Sequence, residues 1–569
     1  MKPAAGPASG AKRALALGAA LFFLTALAFS GILRSAFVWD DWAFVVRTLG
    51  YRGWDWRHLH WMLTTFTMST YAPLGWLSYA LDYSLWGLSP FGFHLTNLLL
   101  HSFNAVLFFG LAARLLRLAF PQGERRALAA GAFLAALLFA VHPLRVESVS
   151  WVSQRRDLLS GLFFLAALRF YVDGRRPAAF GAFVLASLSK PSVVPLPAVL
   201  LILDFYPLRR RWSGRLLLEK APFFLIAAAD ASLAIRAQAV TGNFASLSQH
   251  GLAARLAQAV HGLGFYISKT AVPSGLLAHY PLPGALSLWS PMTAWGLLIL
   301  AAAAGVMRWL GVRGRAAAAL WAYYLVMLSP VLGFLQNGPQ LAALRYSYLA
   351  CLGWALLAGA AAAAAPVAWR RWVCAGLALA AAAGVPLVRA QVRVCRDDVS
   401  LWAPVAARHP DSFNANLNLA DGLIRAGAPG AAVPYARAAL RAARGDDRLA
   451  VLCLARALAL QGDLEEARRR LAGLLQARPD WSPAHDLLGV VLTRQGRPRE
   501  ALGHFERAAA LDPRSAQARY NAGVILAGAG RPAEAAGWLE AAARLEPEEP
   551  LYRGALDKLR SDLSRDIHK

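Results

Sequence analysis

The sequence predicts an all-α protein in two parts, a polytopic bundle of about eleven transmembrane helices followed by an α-solenoid of short repeats. Of its 569 residues, 57% are hydrophobic and 16% are charged, and the mean hydropathy is +0.41. Soluble domains carry about 25% charged residues. The deficit of charge is concentrated before Arg389, and after it the chain repeats every 34 residues.

The membrane part is predicted from apolar segments, most of them close to the roughly 20 residues that a straight span requires. These segments occupy residues 14–33, 93–113, 128–142, 158–173, 178–189, 192–207, 221–239, 257–275, 291–309, 316–334, 345–365 and 372–389. The first segment follows Lys2, Lys12 and Arg13 and precedes no A-x-A-like cleavage site, which predicts a retained signal anchor.

Basic clusters between these segments predict their orientation, because cytoplasmic loops are enriched in Lys and Arg. The clusters are Lys12/Arg13, Arg114/Arg117/Arg125/Arg126, Arg175/Arg176, Arg209/Arg210/Arg211, Arg308/Arg313/Arg315 and Arg370/Arg371. Placing all six in the cytoplasm requires two crossings between consecutive clusters. Segment 257–275 would break that parity, and because it contains Lys269 and Pro273 we expect it to be re-entrant or interfacial. Eleven crossings then leave the N-terminus in the cytoplasm and the C-terminus outside.

The 34-residue periodicity defines four abutting windows, 414–447, 448–481, 482–515 and 516–549. Gly489 and Gly523 take the eighth place, where the two helices of a repeat cross closely, and Pro513 and Pro547 end the second helix. This is the tetratricopeptide pattern, and the first window departs from it with Asp421 and Val433, as terminal repeats often do. We therefore expect a membrane domain at 1–390, a lead-in helix at 391–413, four repeats at 414–549 and a polar capping helix at 550–569.

Charge and cysteine content narrow the functional classes. The net charge is +26, but the basic residues punctuate apolar segments or are spread through the repeats, and no nucleic-acid-binding motif accompanies them. We therefore expect no nucleic-acid partner. The four cysteines are far apart and form no CxxC pair, so they predict neither a metal site nor a disulfide framework.

Adjacent carboxylates, Asp40 and Asp41, follow the first apolar segment. One of two such groups can take a proton from an acceptor hydroxyl while the other orients the acceptor or holds a metal. Alternatively, the pair only ends a hydrophobic helix in water, and taken alone the residues favour that interpretation.

A polar segment at 142–157 is predicted on the same outer face, and it contains His142, Glu147, Arg155, Arg156 and Asp157. Arginines kept on that side suggest recognition of phosphate, which matches the guanidinium fork. A salt-bridge network that braces the loop explains the same residues equally well.

Single cations at predicted helix ends are further candidates. Lys190 and Arg345 could grip the phosphate of a lipid carrier, or they could extend to the membrane interface. His94, Asn97 and His101 share one helix face, a spacing that favours hydrogen bonds between helices over a metal site.

Together these stretches resemble the transmembrane-and-tetratricopeptide protein O-mannosyltransferases and their bacterial relatives in the GT-C superfamily. The matching stretches are VWDD at 38–41, YAPL at 71–74, FHLTNLLLH at 93–101, the segment 142–161, SKP at 189–191, RYSYL at 345–349 and the repeats. The departures are Ala72, where many relatives have a polar or basic residue, and Ala350, where proline often stands.

The resemblance implies a GT-C-like enzyme, expected in the bacterial inner membrane, that transfers mannose or another hexose from a polyprenyl-phosphate donor. The acceptor would be a hydroxyl, such as Ser or Thr of a protein held by the repeats, on the extracytoplasmic face. It implies that Asp40 or Asp41 is the catalytic base and that Arg155, Arg156, Lys190 and Arg345 bind donor phosphate. His94, His142, Glu147 and Asp157 would support them, and a divalent metal is left open.

Two other classes of protein compete with this interpretation. A non-catalytic scaffold could use the repeats to recruit envelope proteins or polysaccharide factors, with the membrane part as its anchor. A transporter or flippase ranks below it, because the two halves show no inverted repeat. Intramembrane charge in so many segments exceeds what an anchor needs.

Overall fold

The structure is a computed structural model that describes residues 7–241, 250–283, 286–334, 338, 340–443, 447–547 and 549–567. The chain divides into two compact units, residues 1–401 and 402–569, here called the N-terminal unit and the repeat unit. The division falls inside a helix that begins at Asp398, about ten residues after the boundary expected at 390.

The described N-terminal unit is helical apart from one two-stranded antiparallel ribbon. Its helices and strands are α1 Pro7–Phe29, α2 Trp56–Thr64, α3 Pro73–Trp86, α4 Pro90–Ala119, α5 Arg125–Ala140, α6 Val146–Ser150, α7 Arg155–Val172, α8 Arg176–Ser187, α9 Leu196–Phe205, α10 Gly214–Leu218, α11 Ala221–Thr241, α12 Leu252–Ala271, β1 Tyr280–Pro281, α13 Pro291–Trp309, α14 Gly314–Leu328, β2 Gln340–Ala342, α15 Ser347–Ala350, α16 Leu352–Ala364, α17 Val367–Val394 and α18 Asp398–Arg408. Short 3₁₀ turns include Ser30–Arg34, Thr67–Ser69, Pro143–Arg145, Val152–Gln154, Pro191–Val193, Ser329–Val331 and Leu344–Tyr346, and Trp42–Val46 is a π-turn.

Four helical segments of the described chain are long and apolar enough to cross a membrane, and two bent helix pairs raise that number to six. The four are Ala11–Arg34, Pro90–Ala119, Pro291–Trp309 and Val367–Val394. The helical class is thus confirmed, whereas eleven spans are not. One reason is length, because α8 and α9 contain 12 and 10 residues, fewer than the roughly 17 that a span requires.

Segment 257–275 is expected to be re-entrant or interfacial, and its residues 257–271 lie in a single helix. This helix is α12, a continuous helix of 20 residues, which extends about 30 Å at 1.5 Å per residue. The backbone leaves the helix only after Ala271, before Pro273. This helix is not among the described segments that are long and apolar enough to cross a membrane, so its interfacial placement stays a prediction.

Close packing and broken helix ends define one end of the N-terminal unit. α5 approaches α16 so closely that a Cβ on Gly131 would lie 2.3 Å from the carbonyl oxygen of Gly359, the small-residue contact that membrane helices favour. At the end of the unit where α5 stops and α7 begins, proline interrupts the helices at Pro143 and Pro191. The Ala36 N–H donates to the Arg396 carbonyl at 2.9 Å, so the segments that follow α1 and α17 meet.

The repeat unit stacks helix pairs, and two helices lie in each predicted window. They are α19 Phe413–Arg425, α20 Pro429–Ala442, α21 Arg448–Gln461, α22 Leu464–Ala477, α23 Ser482–Arg494, α24 Pro498–Leu511, α25 Ala516–Gly528 and α26 Pro532–Leu545, followed by α27 Pro550–Ile567. Small side chains let the helices approach, and a Cβ on Gly489 would lie 2.6 Å from the Phe505 ring. Leu556 and Leu559 of α27 cover the end of this core.

Candidate active site

The two adjacent carboxylates have opposite environments, and Asp41 is the buried one. Its carboxylate accepts hydrogen bonds from three backbone N–H groups, those of Ser153 at 2.7 Å, Val38 at 3.1 Å and Val152 at 3.3 Å. Burial raises the pKa of Asp41 to about 7, although these donors oppose the rise. Asp41 therefore ties the loop after α1 to the 3₁₀ turn before α7.

Asp40 is half-buried, and the described residues give its carboxylate no hydrogen bond or ion-pair partner. Burial raises the pKa of Asp40 above its ordinary value, and the positive charges of Arg345 and Arg156 oppose that rise. A carboxylate with open lone pairs and two nearby guanidinium groups can accept a proton from a bound hydroxyl.

The backbone beside Asp40 is strained and clamped. Trp39 has a φ of +46°, a left-handed conformation that bulky side chains rarely adopt. Asp398, at the start of α18, accepts hydrogen bonds from the Trp39 N–H at 2.7 Å and the Trp42 indole Nε1 at 2.9 Å. Asp398 therefore helps to hold the loop in this conformation, and no sequence motif indicated it.

Arg156 faces the same region as Asp40. Its Nε donates to the Ser153 carbonyl at 3.0 Å and its Nη1 to the Thr70 hydroxyl at 2.9 Å, while the guanidinium lies 4.5 Å from the centre of the Phe44 ring. Within the described chain it has no carboxylate ion-pair partner. Because these partners are neutral, the positive charge of the guanidinium is not compensated and can pair with an anionic ligand.

Arg345 is the second cation near Asp40, and Glu147 positions it. The Glu147 carboxylate accepts hydrogen bonds from the Arg345 Nη1 and, at 3.1 Å, from the Arg345 backbone N–H. The guanidinium also lies 5.8 Å from the centre of the Trp151 ring, and 11% of the side chain is exposed. The carboxylate thus fixes the direction of Arg345, and a small exposed fraction is available to a ligand.

Lys190 is the third cation of this region, and Asp157 positions it. Its Nζ donates to Asp157 Oδ1 at 2.7 Å and to Gln154 Oε1 at 3.4 Å. Burial has the largest effect on the pKa of Lys190 and lowers it, the Asp157 carboxylate opposes this shift, and the charges of Arg156 and Arg345 add to it. The cluster of Asp40, Arg156, Lys190 and Arg345, called here the Asp40 cluster, is therefore electrostatically coupled.

Arg155 points away from this cluster, although the sequence placed it with Arg156. Its Nη2 lies 2.5 Å from Asp82 Oδ2, and its Nε donates to Asn97 Oδ1 at 2.8 Å. The remaining guanidinium donors reach the carbonyls of Ser78 and Phe93 at 3.2 and 2.8 Å. We correct its expected role from phosphate contact to bracing, because the side chain is fully buried and its donors are engaged.

The two histidines expected to support the site bond to backbone. His94 Nε2 lies 3.3 Å from the Ala36 carbonyl, and His142 Nε2 lies 3.0 Å from the Thr270 carbonyl. His142 Nδ1 accepts the Leu144 N–H at 3.2 Å and so caps the turn that begins at Pro143. Both side chains hold segments around the cluster and do not join it.

Sequence reasoning missed Asp82 and Asp398, the partners of Arg155 and of the strained loop. An acidic residue within the largely apolar stretch of α3 was the available signal for Asp82. In the part of the chain that the structure describes, no group of three or more His, Cys, Asp or Glu side chains is placed to hold a metal ion. Asp41 is already engaged with backbone N–H groups, so the two carboxylates do not present a joint metal site.

Comparisons with known proteins identify the repeats and find partial matches to protein O-mannosyl-transferases. Family models described as tetratricopeptide repeat match residues 423–490 and 487–550. The chain is 40% identical to the protein O-mannosyl-transferase Tmtc3 of Drosophila melanogaster over 112 residues, which are 18% of this chain and 12% of that protein. It is 39% identical to the human protein O-mannosyl-transferase TMTC4 over 134 residues, 21% of this chain and 17% of that protein.

The resemblance to the protein O-mannosyl-transferases with tetratricopeptide repeats is therefore confirmed, since relatives of that name match part of this chain and repeat models match its C-terminal part. The matches span between a tenth and a quarter of those proteins' length. Among solved structures, the tetratricopeptide protein TTC0263 of Thermus thermophilus is 26% identical, with a TM-score of 0.25 over 27% of this chain and 84% of its own. YrrB, a tetratricopeptide protein with an unusual peptide-binding site, is 22% identical, with a TM-score of 0.23 over 32% of this chain and 88% of its own.

Proposed function

We propose that this protein is a membrane glycosyltransferase of the GT-C type that moves mannose or another hexose from a polyprenyl-phosphate donor to a hydroxyl acceptor. The acceptor is Ser or Thr of a protein. The observation that carries the proposal is the Asp40 carboxylate, which has no partner among the described residues and lies near two arginines. The names of the homologues support the sugar and the acceptor class.

In the proposed reaction, Asp40 accepts the proton of the acceptor hydroxyl as its oxygen attacks the anomeric carbon. The bond between that carbon and the phosphate oxygen breaks, and the lipid phosphate leaves with the electron pair. Arg156 and Arg345 stabilise the charge that develops on the leaving phosphate. Lys190, which the Asp157 carboxylate holds at 2.7 Å, lies close to both arginines and donates to the same phosphate in this proposal.

The cluster fits the extracytoplasmic face. Ser30–Arg34 leads from α1 into the Asp40 loop, and Arg396, after α17, bonds to Ala36. The chain thus leaves the N-terminal unit at the end that carries Asp40, whatever the number of crossings between them. The predicted cytoplasmic arginine clusters adjoin the opposite ends of the helices, as at Arg125 and Arg176. In this proposal the repeats extend outside the cytoplasm and their concave surface holds the protein acceptor.

A non-catalytic scaffold is the second candidate, and the repeat unit favours it because such repeats form protein-binding surfaces. A scaffold gives no reason to keep an unpaired carboxylate and Arg156 at the end of an apolar bundle. It predicts that changes at Asp40 leave function unaltered and that damage to the repeat surface abolishes it.

The test exploits the difference between two neighbouring carboxylates. Asp40→Asn and Asp41→Asn are each assayed in purified membranes with radiolabelled polyprenyl-phosphate mannose and endogenous protein acceptors. We expect Asp40→Asn to lower transfer at least about 100-fold, since general-base catalysis contributes that much, with an unchanged unfolding temperature.

Asp41→Asn is the matched control, with the same chemical change at the adjacent position. Its amide NH₂ would face backbone N–H groups in either orientation, so we expect a loss of about 1–3 kcal/mol of stability and residual transfer per folded molecule. A folded wild type that transfers neither mannose nor another polyprenyl-linked sugar overturns the enzyme proposal. Full activity in Asp40→Asn overturns the assignment of the base.

A further inference from the structure

An apolar cavity lies at the end of the N-terminal unit opposite to the Asp40 cluster. It encloses about 400 Å³, within the range of about 300–1,000 Å³ typical of ligand sites. Its walls come from the last turns of α4, from α7 and α9, from the start of α14 and from α16. Asn97, which bonds to the Trp151 carbonyl beside the cluster, precedes the cavity residues of α4, which begin at Phe108 and end at Ala119. At 1.5 Å per residue these residues lie roughly 15–35 Å from Asn97 along the helix.

The cavity is apolar inside and cationic at its mouth. Phe108, Leu115 and Leu203 form buried parts of the wall, whereas Arg313 and Ala364 are exposed members at helix ends. Among the residues that line the cavity, Arg313 carries the charge, Tyr206 and Tyr323 carry hydroxyl groups, and the others are apolar. Its open end therefore lies where the predicted cytoplasmic arginines cluster.

Three arginines lie at or next to that mouth. Arg313 lines it, and Arg209 lies 5.8 Å from the ring centre of the lining residue Tyr206. Arg315 directly precedes the lining residue Ala316 and lies 5.6 Å from the ring centre of Phe205, which is not part of the wall. None of the three has an ion-pair partner among the residues described. Arg209 also has a φ of +50°, so its backbone is held in a conformation that a non-glycine residue rarely adopts. The neighbouring Arg210, by contrast, is paired with Glu219 at 3.0 Å.

We propose that this cavity binds one anionic phospholipid of the cytoplasmic leaflet, with an acyl chain between α4, α9 and α14 and the headgroup phosphate against Arg209, Arg313 and Arg315. An apolar space that opens beside unpaired guanidinium groups matches a ligand with a hydrocarbon tail and a phosphate. The polyprenyl-phosphate donor is a poorer fit, because its phosphate belongs at the other end of the helices in the proposed reaction. The lipid site makes no use of the transferase chemistry.

The test measures retained lipid on the full-length protein. Protein in nanodiscs of equimolar phosphatidylglycerol and phosphatidylcholine is extracted into mild detergent, and bound lipid is identified by native mass spectrometry. We expect one phosphatidylglycerol per chain in the wild type. Arg209→Gln/Arg313→Gln/Arg315→Gln should lower the ratio of bound phosphatidylglycerol to phosphatidylcholine at least about fivefold, the effect of a single basic residue at an anionic surface.

A matched triple variant, Arg125→Gln/Arg126→Gln/Arg371→Gln, removes the same charge from exposed residues of the same end that do not line the cavity. It should keep the bound lipid. A second variant, Ala316→Leu/Ala360→Leu, fills the cavity and leaves the three mouth arginines in place, and it should lose the lipid. Thermal unfolding checks that each variant is folded.

Equal retention of both phospholipids by the wild type, or equal loss in the two triple variants, overturns recognition of the headgroup. Lipid retained by the filled variant overturns the cavity as its site. Displacement of phosphatidylglycerol by added polyprenyl phosphate, measured in the same experiment, overturns the phospholipid as its occupant.

Discussion

The N-terminal unit fully buries some of its ion pairs, whereas the described ion pairs of the repeat unit are at least partly exposed. In the repeat unit, ion pairs such as Arg531–Glu534 join residues one turn apart on an exposed surface, at 2.6 Å. In the N-terminal unit, Arg155 and Asp82 meet at 2.5 Å with side chains 0% and 3% exposed. Water competes with the first kind of pair and leaves it little net energy. Water does not reach the buried pair, so removing one partner leaves the other as a buried charge that nothing compensates.

The strongest test of this comparison is to remove one partner of the buried pair. Asp82→Asn leaves the Arg155 guanidinium buried without its counter-charge, and we expect a loss of about 3–5 kcal/mol of stability. The measurement is thermal unfolding of the purified protein in detergent, with transfer activity per folded molecule as a second readout.

The double variant Asp82→Leu/Arg155→Met is its control, because it removes both charges and keeps most of the apolar volume. Its unfolding midpoint should recover part of the difference from the wild type, and not all of it, because oxygens of Asn97, Ser78 and Phe93 lose their Arg155 donor. An unchanged midpoint in Asp82→Asn alone would contradict the view that this pair braces the fold.

In the repeat unit, stability depends on the close packing of helices where the N-terminal unit depends on a buried ion pair. Gly489→Ala would bring a Cβ within 2.6 Å of the Phe505 ring, and we expect it to destabilise the protein by about 1–3 kcal/mol. Gly473→Ala is the matched control, because it lies in α22 and its Cβ would meet no atom within 4 Å. It should be neutral or slightly stabilising, since alanine favours helices. Similar unfolding midpoints for the two variants would contradict the close crossing at Gly489.

This contrast also explains what the sequence could predict. Gly489 and Pro513 reveal the repeats because each repeat is a local unit whose requirements recur every 34 residues. Asp40 could be selected as a candidate because a carboxylate beside an apolar segment is unusual. Its difference from Asp41 could not be predicted, because that difference depends on backbone N–H groups of Val152 and Ser153, far along the chain.

The neighbouring residues Arg155 and Arg156 show the same limit of prediction from the sequence. They share one motif and begin one helix, yet successive helical side chains point in different directions. Arg155 meets Asp82 and Arg156 meets Thr70. The motif could predict the chemistry of the segment but not which arginine faces a ligand.

A smaller effect concerns the pH dependence of transfer. A protonated Asp40 cannot accept a proton, so transfer should fall as the pH drops through the pKa of Asp40, which burial raises above its ordinary value. Arg156 lowers this pKa, and Arg156→Gln should therefore move the acidic limb of kcat/KM to higher pH, besides lowering its maximum.

Arg47→Gln is the control for that shift, since Arg47 is exposed and is not among the main groups that act on Asp40. The acidic limb of this variant should coincide with that of the wild type. A limb in Arg156→Gln that stays in place or moves to lower pH would contradict the assignment of Asp40 as the titrating base.

The smallest effect is expected at the exposed pair with which the comparison began. Arg531→Gln removes the partner of Glu534, but both side chains are about half exposed, and water can solvate the carboxylate that remains. The variant should unfold at the wild-type temperature, and any difference should shrink further as salt is added. A loss of stability comparable to that of Asp82→Asn would show that solvent exposure does not explain the difference between the two ion pairs. The contribution of Arg531 to stability would then have to be explained by the geometry of the repeats.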